Sequence, residues 1–133
     1  GLGAGARVIL LLPALQAAAP PPSAEAAEEV VVIGEKLKSW RAAIRFGKAG
    51  AACKIKESTG DAEIDRIGCT ALEQCWPQFL PGFEATRAKG TAAEARKAKT
   101  AELNQALGAC VVARRDALIA ELADRRVAAR SGS

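Results

Sequence analysis

The side chains with the clearest chemical potential in this sequence are its four cysteines, and all but one of them lie within residues 53–75. The chain has no C-x-x-C spacing and no histidine. That argues against zinc, because structural zinc sites use closely spaced Cys or Cys/His pairs. An even number of cysteines is typical of disulfides in small chains from oxidising compartments. We therefore predict two disulfide bonds, and we predict neither a metal nor a cofactor.

The spacing of the cysteines favours one of the three pairings that four cysteines allow. Alternating apolar and charged residues predict a strand from Cys53, and a helix follows the turn at Gly60. About 20 Å of strand, retraced by about 20 Å of helix, leads from Cys53 to Cys75. Cys69 lies about 140° from the apolar face of that helix, on the side open to another helix. We expect Cys53–Cys75 and Cys69–Cys110, and the other two pairings stay open.

A group of carboxylates follows the same turn. Asp61, Glu63 and Asp65 come directly after Ser58 and Thr59. A carboxylate pair can carry out acid–base hydrolysis, and that hypothesis predicts that Asp61 and Asp65 face a cleft. The competing interpretation, which we favour, is a capped and negatively charged first helical turn. Because the chain has no histidine to activate a hydroxyl, nucleophilic catalysis is also disfavoured, and a hydrolase is the alternative to a non-enzymatic protein.

Two alternating segments on either side of residues 47–50 predict a β-hairpin. A four-residue loop places three apolar pairs on one face, namely Phe46 with Ala51, Ile44 with Cys53 and Ala42 with Ile55. Loop length and face parity agree, which supports this register. Trp40 and Trp76 are expected to fill the core rather than to line a pocket.

The outward face of this hairpin is predicted to be basic, with four cations: Arg41, Arg45, Lys54 and Lys56. Arg41 is expected directly opposite Lys56, which costs stability because like charges repel across a strand pair. Lys36, Lys38 and Lys48 are expected nearby. A solvated face is one interpretation. The alternative is a docking surface for an anionic partner, such as an envelope surface or an acidic protein. Nucleic acid is not expected, because the outward positions carry no aromatic residue.

The remaining elements are expected to be helical. The helix after the turn has a core face made of Ile64, Gly68, Ala71, Leu72 and Cys75, and Pro77 is expected to end it. Residues 91–130 predict one long helix or, more in keeping with a small domain, two pieces broken near Gly108. Their apolar stripe is Leu103, Leu107, Cys110, Val111, Leu118 and Leu122. Residues 128–133 are expected to fray.

Residues 1–26 resemble a secretory signal peptide. Arg7 precedes an apolar run over residues 8–15, and Ala24-Glu25-Ala26 forms an A-x-A cleavage site. A cut after Ala19 and a membrane anchor are the alternatives, although the apolar run is shorter than the ~20 residues of a span. Residues 27–133 would then form one small disulfide-linked domain, periplasmic or secreted and not transmembrane. The domain keeps the net charge of +4, because the leader contains one basic and one acidic residue.

The run Val30–Ile33 is β-branched throughout and predicts a first strand. With Glu29 and Gly34 it resembles the TonB box of outer-membrane receptors from Gram-negative bacteria, although Ile33 replaces the usual threonine. This resemblance implies docking by strand addition at residues 30–33. The ordinary first strand is the interpretation we favour.

A broader pattern covers most of residues 27–133. It consists of Val30–Gly34, Trp40-Arg41, the stretch from Cys53 to Asp61, Ile67-Gly68-Cys69 and the segment that contains Cys110. In this pattern the chain resembles small exported proteins of unknown function from Gram-negative bacteria. The resemblance implies export and carries no activity with it.

Together these patterns predict an α+β fold. About three antiparallel strands are covered on one face by a helix, a long C-terminal helical segment follows, and two disulfides link the elements. Because the apolar core should be thin, each disulfide is expected to contribute ~2–4 kcal/mol. The expected function is non-enzymatic binding through the basic hairpin face.

Overall fold

The computed structural model describes residues 23–132, and the chain runs helix, strand, strand, helix, helix. The elements are α1 (Ala24–Leu37), β1 (Arg41–Gly47), β2 (Gly50–Glu57), α2 (Ala62–Thr86) and α3 (Ala93–Ser131). The predicted α+β class is confirmed, but the sheet in this part of the chain has two antiparallel strands rather than about three. The predicted signal peptide falls mostly on residues 1–22, which lie outside the described residues, and its last residues begin α1.

Helix α1 replaces the predicted first strand, so the strand prediction for Val30–Ile33 was wrong. The Ser23 hydroxyl caps the helix by accepting a hydrogen bond from the Ala26 N–H at 3.1 Å. Ile33 and Leu37, one turn apart, are buried against α2 and α3. This helical burial outweighs the β-propensity of the valines, which is a weak preference that packing readily overrides.

The hairpin of β1 and β2 has the predicted register over most of its length. Phe46 pairs with Ala51, Ile44 with Cys53 and Ala42 with Ile55. The loop is tighter than predicted, because Gly47 pairs with Gly50 and only two residues make the turn. Gly50 has a φ of 128°, which only glycine adopts without strain.

Helix α2 begins where the sequence predicted, with Asp61 as its N-cap, but it does not stop at Pro77. It passes through Pro77 and Pro81 and ends at Thr86. A proline inside a helix costs ~3 kcal/mol. Tertiary contacts around the first proline offset this cost, because Trp76 is buried and its ring packs between Phe46 and Phe83, at centroid distances of 4.6 and 5.4 Å.

Helix α3 is continuous over 39 residues, so the expected break near Gly108 is absent. A glycine inside a helix costs only about 1 kcal/mol. The helix is about 58 Å long and has partners along both halves. Leu107 packs in a cluster with Cys75 and Trp76 of α2. Ile119 and Leu122 pack in a second cluster with residues of α1 and α2.

The structure corrects the predicted disulfide pairing: the bonds are Cys53–Cys69 and Cys75–Cys110. All four cysteines are bonded, as predicted. The pairing failed because it assumed that β2 covers the face of α2 that holds Ile64. That face packs instead in the helical cluster with α1 and α3. The hairpin lies against the flank of α2 that presents Cys69.

Candidate functional site

The outward face of the hairpin carries the predicted basic residues. Arg41, Arg45, Lys54 and Lys56 are all exposed, and they alternate with inward residues that pack toward α2. Cross-strand neighbours separate the charges, since Arg45 pairs with Ala52 and Lys54 with Ala43. Each long cationic side chain therefore stands opposite a methyl group and diagonal to the other cation, which limits repulsion.

The two alanines make the face concave. A shallow cavity of about 500 Å³ is lined by Ala43, Ile44, Arg45, Ala52, Cys53, Lys54 and Lys56. Its floor is backbone and small side chains, and its rim is cationic. An anionic group that enters this cavity therefore approaches three positively charged side chains.

The cations at the rim are not neutralised by any other residue that the structure describes. Within residues 23–132, no ion pair involves Arg45, Lys54 or Lys56. Of the other basic residues predicted nearby, Lys38 pairs with Glu35 at 3.0 Å and Lys48 approaches Glu84 at 3.9 Å. The positive charge of the cavity is therefore available to an external anion.

Arg41 lies apart from this cavity, at the start of β1. A bulge between Arg41 and Ala42 shifts the register, so that Arg41 pairs with Glu57 and not with Lys56 as predicted. The bulge thus replaces a like-charge pair by an opposite-charge pair. The Arg41 Nη1 donates a hydrogen bond to the Trp40 carbonyl oxygen at 3.3 Å. The structure therefore brings three of the four predicted cations together and leaves the fourth at the edge.

Three contacts fix the hairpin to the helices. The Cys53–Cys69 disulfide joins β2 to α2, and Trp76 Nε1 donates a hydrogen bond to the Gly47 carbonyl oxygen at 2.9 Å. Trp40 packs so closely on Gly68 that an added Cβ there would lie 2.5 Å from Trp40 Cη2. Both tryptophans therefore act in packing, and the basic face is presented by a fixed support.

The carboxylate of Asp65 organises the turn between β2 and α2. It is buried and accepts hydrogen bonds from the Ser58 hydroxyl and, at 2.7 Å, from the N–H and the hydroxyl of Thr59. The Ser58 hydrogen bond is the largest cause of a lowered pKa of Asp65, and the Thr59 bonds add to it against the opposing effect of burial. This carboxylate is a structural anchor for the turn.

Asp61 joins the start of α2 to the end of α3. Its Oδ1 accepts the N–H groups of Glu63 and Ile64, and Arg126 Nη2 lies 2.8 Å from its Oδ2. Burial acts to raise the pKa of Asp61, but the Arg126 and backbone hydrogen bonds outweigh it, so that the pKa lies below its ordinary value. Burial acts to lower the pKa of Arg126, but its contacts with the side chains of Asp61 and Glu63 outweigh burial and raise the pKa.

Arg126 is the important residue that the sequence analysis missed. It also lies 3.2 Å from Glu63 and 3.9 Å from Glu29, so one guanidinium connects α1, α2 and α3. Its position four residues after Leu122 on the predicted apolar stripe was the available signal. Neither Asp61 nor Asp65 lines the basic cavity or a smaller apolar cavity of about 240 Å³ between α2 and α3. Their carboxylate oxygens instead accept hydrogen bonds in the turn, at the helix cap and from Arg126.

Comparison with models of protein families, with curated proteins and with solved structures finds no match for this chain. In the part of the chain that the structure describes, no group of three or more Cys, Asp or Glu residues is placed to hold a metal ion. None of the helices α1–α3 combines the length and the apolar composition of a membrane span.

Proposed function

We propose that this chain is an exported, non-enzymatic binding protein that docks through its basic hairpin face onto an anionic surface of the cell envelope. One observation carries the proposal: Arg45, Lys54 and Lys56 surround a single shallow cavity and have no ion-pair partner among residues 23–132. Because the helices lie on the other side of the hairpin, the face is open to a broad partner. The proposed ligand is the phosphate of lipid headgroups.

A location outside the cytoplasm supports this proposal, and features of the chain other than its basic face favour that location. Two disulfides link β2 to α2 and α2 to α3. Disulfides of this kind persist in oxidising compartments such as the periplasm or the exterior. The predicted leader over residues 1–26 agrees with that location. In this compartment, the anionic surface within reach is the envelope itself.

The electrostatics give the expected size of the effect. A lysine or arginine close to an anionic bilayer contributes about 1 kcal/mol of binding free energy. Three such residues correspond to about 100-fold in affinity. The interaction should weaken as salt rises, since exposed charges are screened over about 10 Å at 0.1 M ionic strength.

The test measures co-sedimentation of the oxidised protein with vesicles that contain anionic phospholipid, and with neutral vesicles. We expect binding to the anionic vesicles alone, and loss of that binding between roughly 50 mM and 500 mM salt. The variant Arg45→Glu, Lys54→Glu, Lys56→Glu should lose binding by about 100-fold or more. Adding Arg41→Glu should have a smaller effect, because Arg41 lies outside the cavity.

A matched control has the same change in net charge. Arg87, Lys89 and Lys97 are exposed and lie in the loop before α3 and in its first turns. Their reversal to glutamate should reduce binding only slightly, through net charge. Equal loss in both triple variants would show that total charge and not the hairpin face governs binding. Binding that does not weaken as the salt concentration rises, or tighter binding to an acidic protein than to vesicles, would contradict the lipid proposal.

The structure gives no support to strand addition at residues 30–33, because they lie in α1 and Ile33 is fully buried. Pairing this segment with another strand would first require α1 to unfold.

A further inference from the structure

The smaller cavity, between α2 and α3, lies beside the loop that joins these two helices. Gly82, Ala85 and Thr86 of α2 form one wall, and Ala95 lies on the wall formed by α3. At Gly82 the helices are in close contact, because an added Cβ there would lie 2.8 Å from Leu103 Cδ2. Toward the loop, the methyl groups of the two alanines do not fill the space between the helices, which leaves a cavity of about 240 Å³.

The wall of this cavity is almost wholly apolar. Thr86 is its buried polar residue, and the Thr86 hydroxyl donates a hydrogen bond to the Phe83 carbonyl oxygen at 2.7 Å, within α2. Water in the cavity therefore finds few polar partners, and an apolar group can replace it. An apolar cavity of about 150 Å³ holds benzene, so the same volume per carbon gives room here for about eight to ten carbons.

The opening of the cavity is cationic. Arg96 and Lys99 line it and are exposed. Arg96 Nη2 donates a hydrogen bond to the Thr91 carbonyl oxygen at 3.2 Å, which holds the guanidinium beside the cavity. Among residues 23–132, no ion pair involves Arg96. Lys99 lies 3.3 Å from Glu102, but both side chains are more than half exposed, so this pair contributes little.

An apolar wall beside an unpaired guanidinium is complementary to a molecule with an alkyl chain and an anionic end. A carboxylate suits this end, because its two oxygens match the planar donors of arginine. We propose that the cavity binds a medium-chain carboxylate, with the alkyl chain between α2 and α3 and the carboxylate at Arg96. The cavity shares no lining residue with the basic hairpin face, so this site is independent of vesicle binding.

Isothermal titration calorimetry of the oxidised full chain with a series of alkanoates, from butanoate to dodecanoate, tests the proposal. We expect octanoate to bind with a Kd of roughly 10 μM to 1 mM, as for other ligands of this size. The affinity should rise about fourfold with each added methylene. It should level off at about eight to ten carbons, where the cavity is full.

Two pairs of variants separate the cavity from the rest of the surface. Arg96→Gln should weaken octanoate binding by about fivefold and leave the binding of neutral octan-1-ol unchanged. Lys97→Gln makes the same charge change at an exposed residue outside the cavity and should alter neither. Ala95→Leu fills part of the cavity and should weaken octanoate binding by about tenfold or more. Ala101→Leu, at an exposed position of α3 outside the cavity, should not. Thermal unfolding checks that each variant retains the fold.

Several results would overturn the proposal: no octanoate binding below about 10 mM, an affinity that does not change with chain length, an equal effect of Arg96→Gln on the alcohol, or an equal loss in both leucine variants. The triple variant Arg45→Glu, Lys54→Glu, Lys56→Glu should lose vesicle binding but bind octanoate as the parent does. Loss of octanoate binding in this variant would place the ligand on the hairpin face and would also overturn the proposal. Vesicle binding by the parent protein is measured separately, so that either proposal can fail without the other.

Discussion

Arg126 and Asp61 form a two-point ion pair, in which one guanidinium nitrogen of Arg126 lies 2.9 Å from Oδ1 and 2.8 Å from Oδ2 of Asp61. The pair joins the start of α2 to the C-terminal part of α3. Both side chains are largely shielded, with 22% and 24% of their surface exposed. A charge-assisted contact with this shielding is worth more than an exposed ion pair.

The first prediction concerns this ion pair. Arg126→Met keeps the apolar stem of the side chain but leaves the carboxylates of Asp61 and Glu29 without their shared cation. We expect the free energy of unfolding to fall by about 1–3 kcal/mol, measured by urea denaturation under oxidising conditions. Arg125→Met is the matched control, because Arg125 is 63% exposed and its single ion pair within residues 23–132, with Glu63, is long at 3.8 Å. Its cost should stay below about 1 kcal/mol, and equal costs would contradict this account.

The second prediction concerns acid stability. The pKa values of Asp61 and Asp65 are both lowered from the ordinary value of 3.8. The unfolded chain therefore binds protons at these sites before the folded chain does. The stability they contribute is complete above about pH 5 and is lost as the pH falls through 3.8 toward the lower folded pKa values.

Variants at the turn measure this contribution. Asp65→Asn should make the decline in stability below pH 5 shallower, since it removes one of the two linked carboxylates. Ser58→Ala should do so in part, because it deletes the hydrogen bond that most lowers the pKa of Asp65. The free energy of unfolding between about pH 2 and pH 7 checks both. If the Asp65→Asn variant kept the acid response of the parent, the assignment would be refuted.

The third prediction concerns the disulfides. Peptide mapping without reductant should recover Cys53 linked to Cys69 and Cys75 linked to Cys110. Loop-closure entropy assigns about 3 kcal/mol to the first bond and about 4 kcal/mol to the second, given separations of 16 and 35 residues. Replacing both cysteines of a bond by serine should therefore cost more stability for Cys75–Cys110 than for Cys53–Cys69. Four free thiols in the purified protein, or a melting temperature unaffected by reductant, would contradict the fold's dependence on oxidation.

The fourth prediction concerns two helical glycines. Gly68→Ala should destabilise the fold by about 1–3 kcal/mol, because the new methyl group would overlap the Trp40 ring. Gly108→Ala meets nothing within 4 Å and should stabilise α3 by up to about 1 kcal/mol. Thermal unfolding measures both. A stabilising Gly68→Ala would show that Trp40 moves aside, and that the contact does not fix the hairpin.

The hairpin was predictable because its constraints are local. Alternation placed Ile44 and Cys53 on one face, and a short loop allowed only registers that kept them opposite each other. The bulge at Arg41 was not predictable from alternation alone. The basic residues of the candidate site followed from the same alternation, and the structure places all four on the exposed face. The clustering of three of them around one cavity depends on the small side chains of Ala43 and Ala52, whereas Arg41 lies outside it.

The remaining elements depend on distant contacts. Val30–Ile33 has the composition of a strand, and only the burial of Ile33 against α2 and α3 makes the helix favourable. Pro77 lies inside α2 because Trp76 and Cys75, beside it in the sequence, are held by β1 and α3. The Arg126 cluster joins residues from three helices. No pattern within a single segment contains that information.

Both disulfides have one end on α2, at Cys69 and Cys75, and this has a consequence for biogenesis. On a formed helix these two sulfurs are about 9 Å apart along the axis and point about 120° away from each other. On an unfolded chain their relative positions are not fixed, and the two thiols compete for the same partners. The ratio of native to non-native disulfide isomers after oxidation should therefore report whether α2 forms before the thiols react. A catalyst of thiol–disulfide exchange would be needed most when α2 forms later than that.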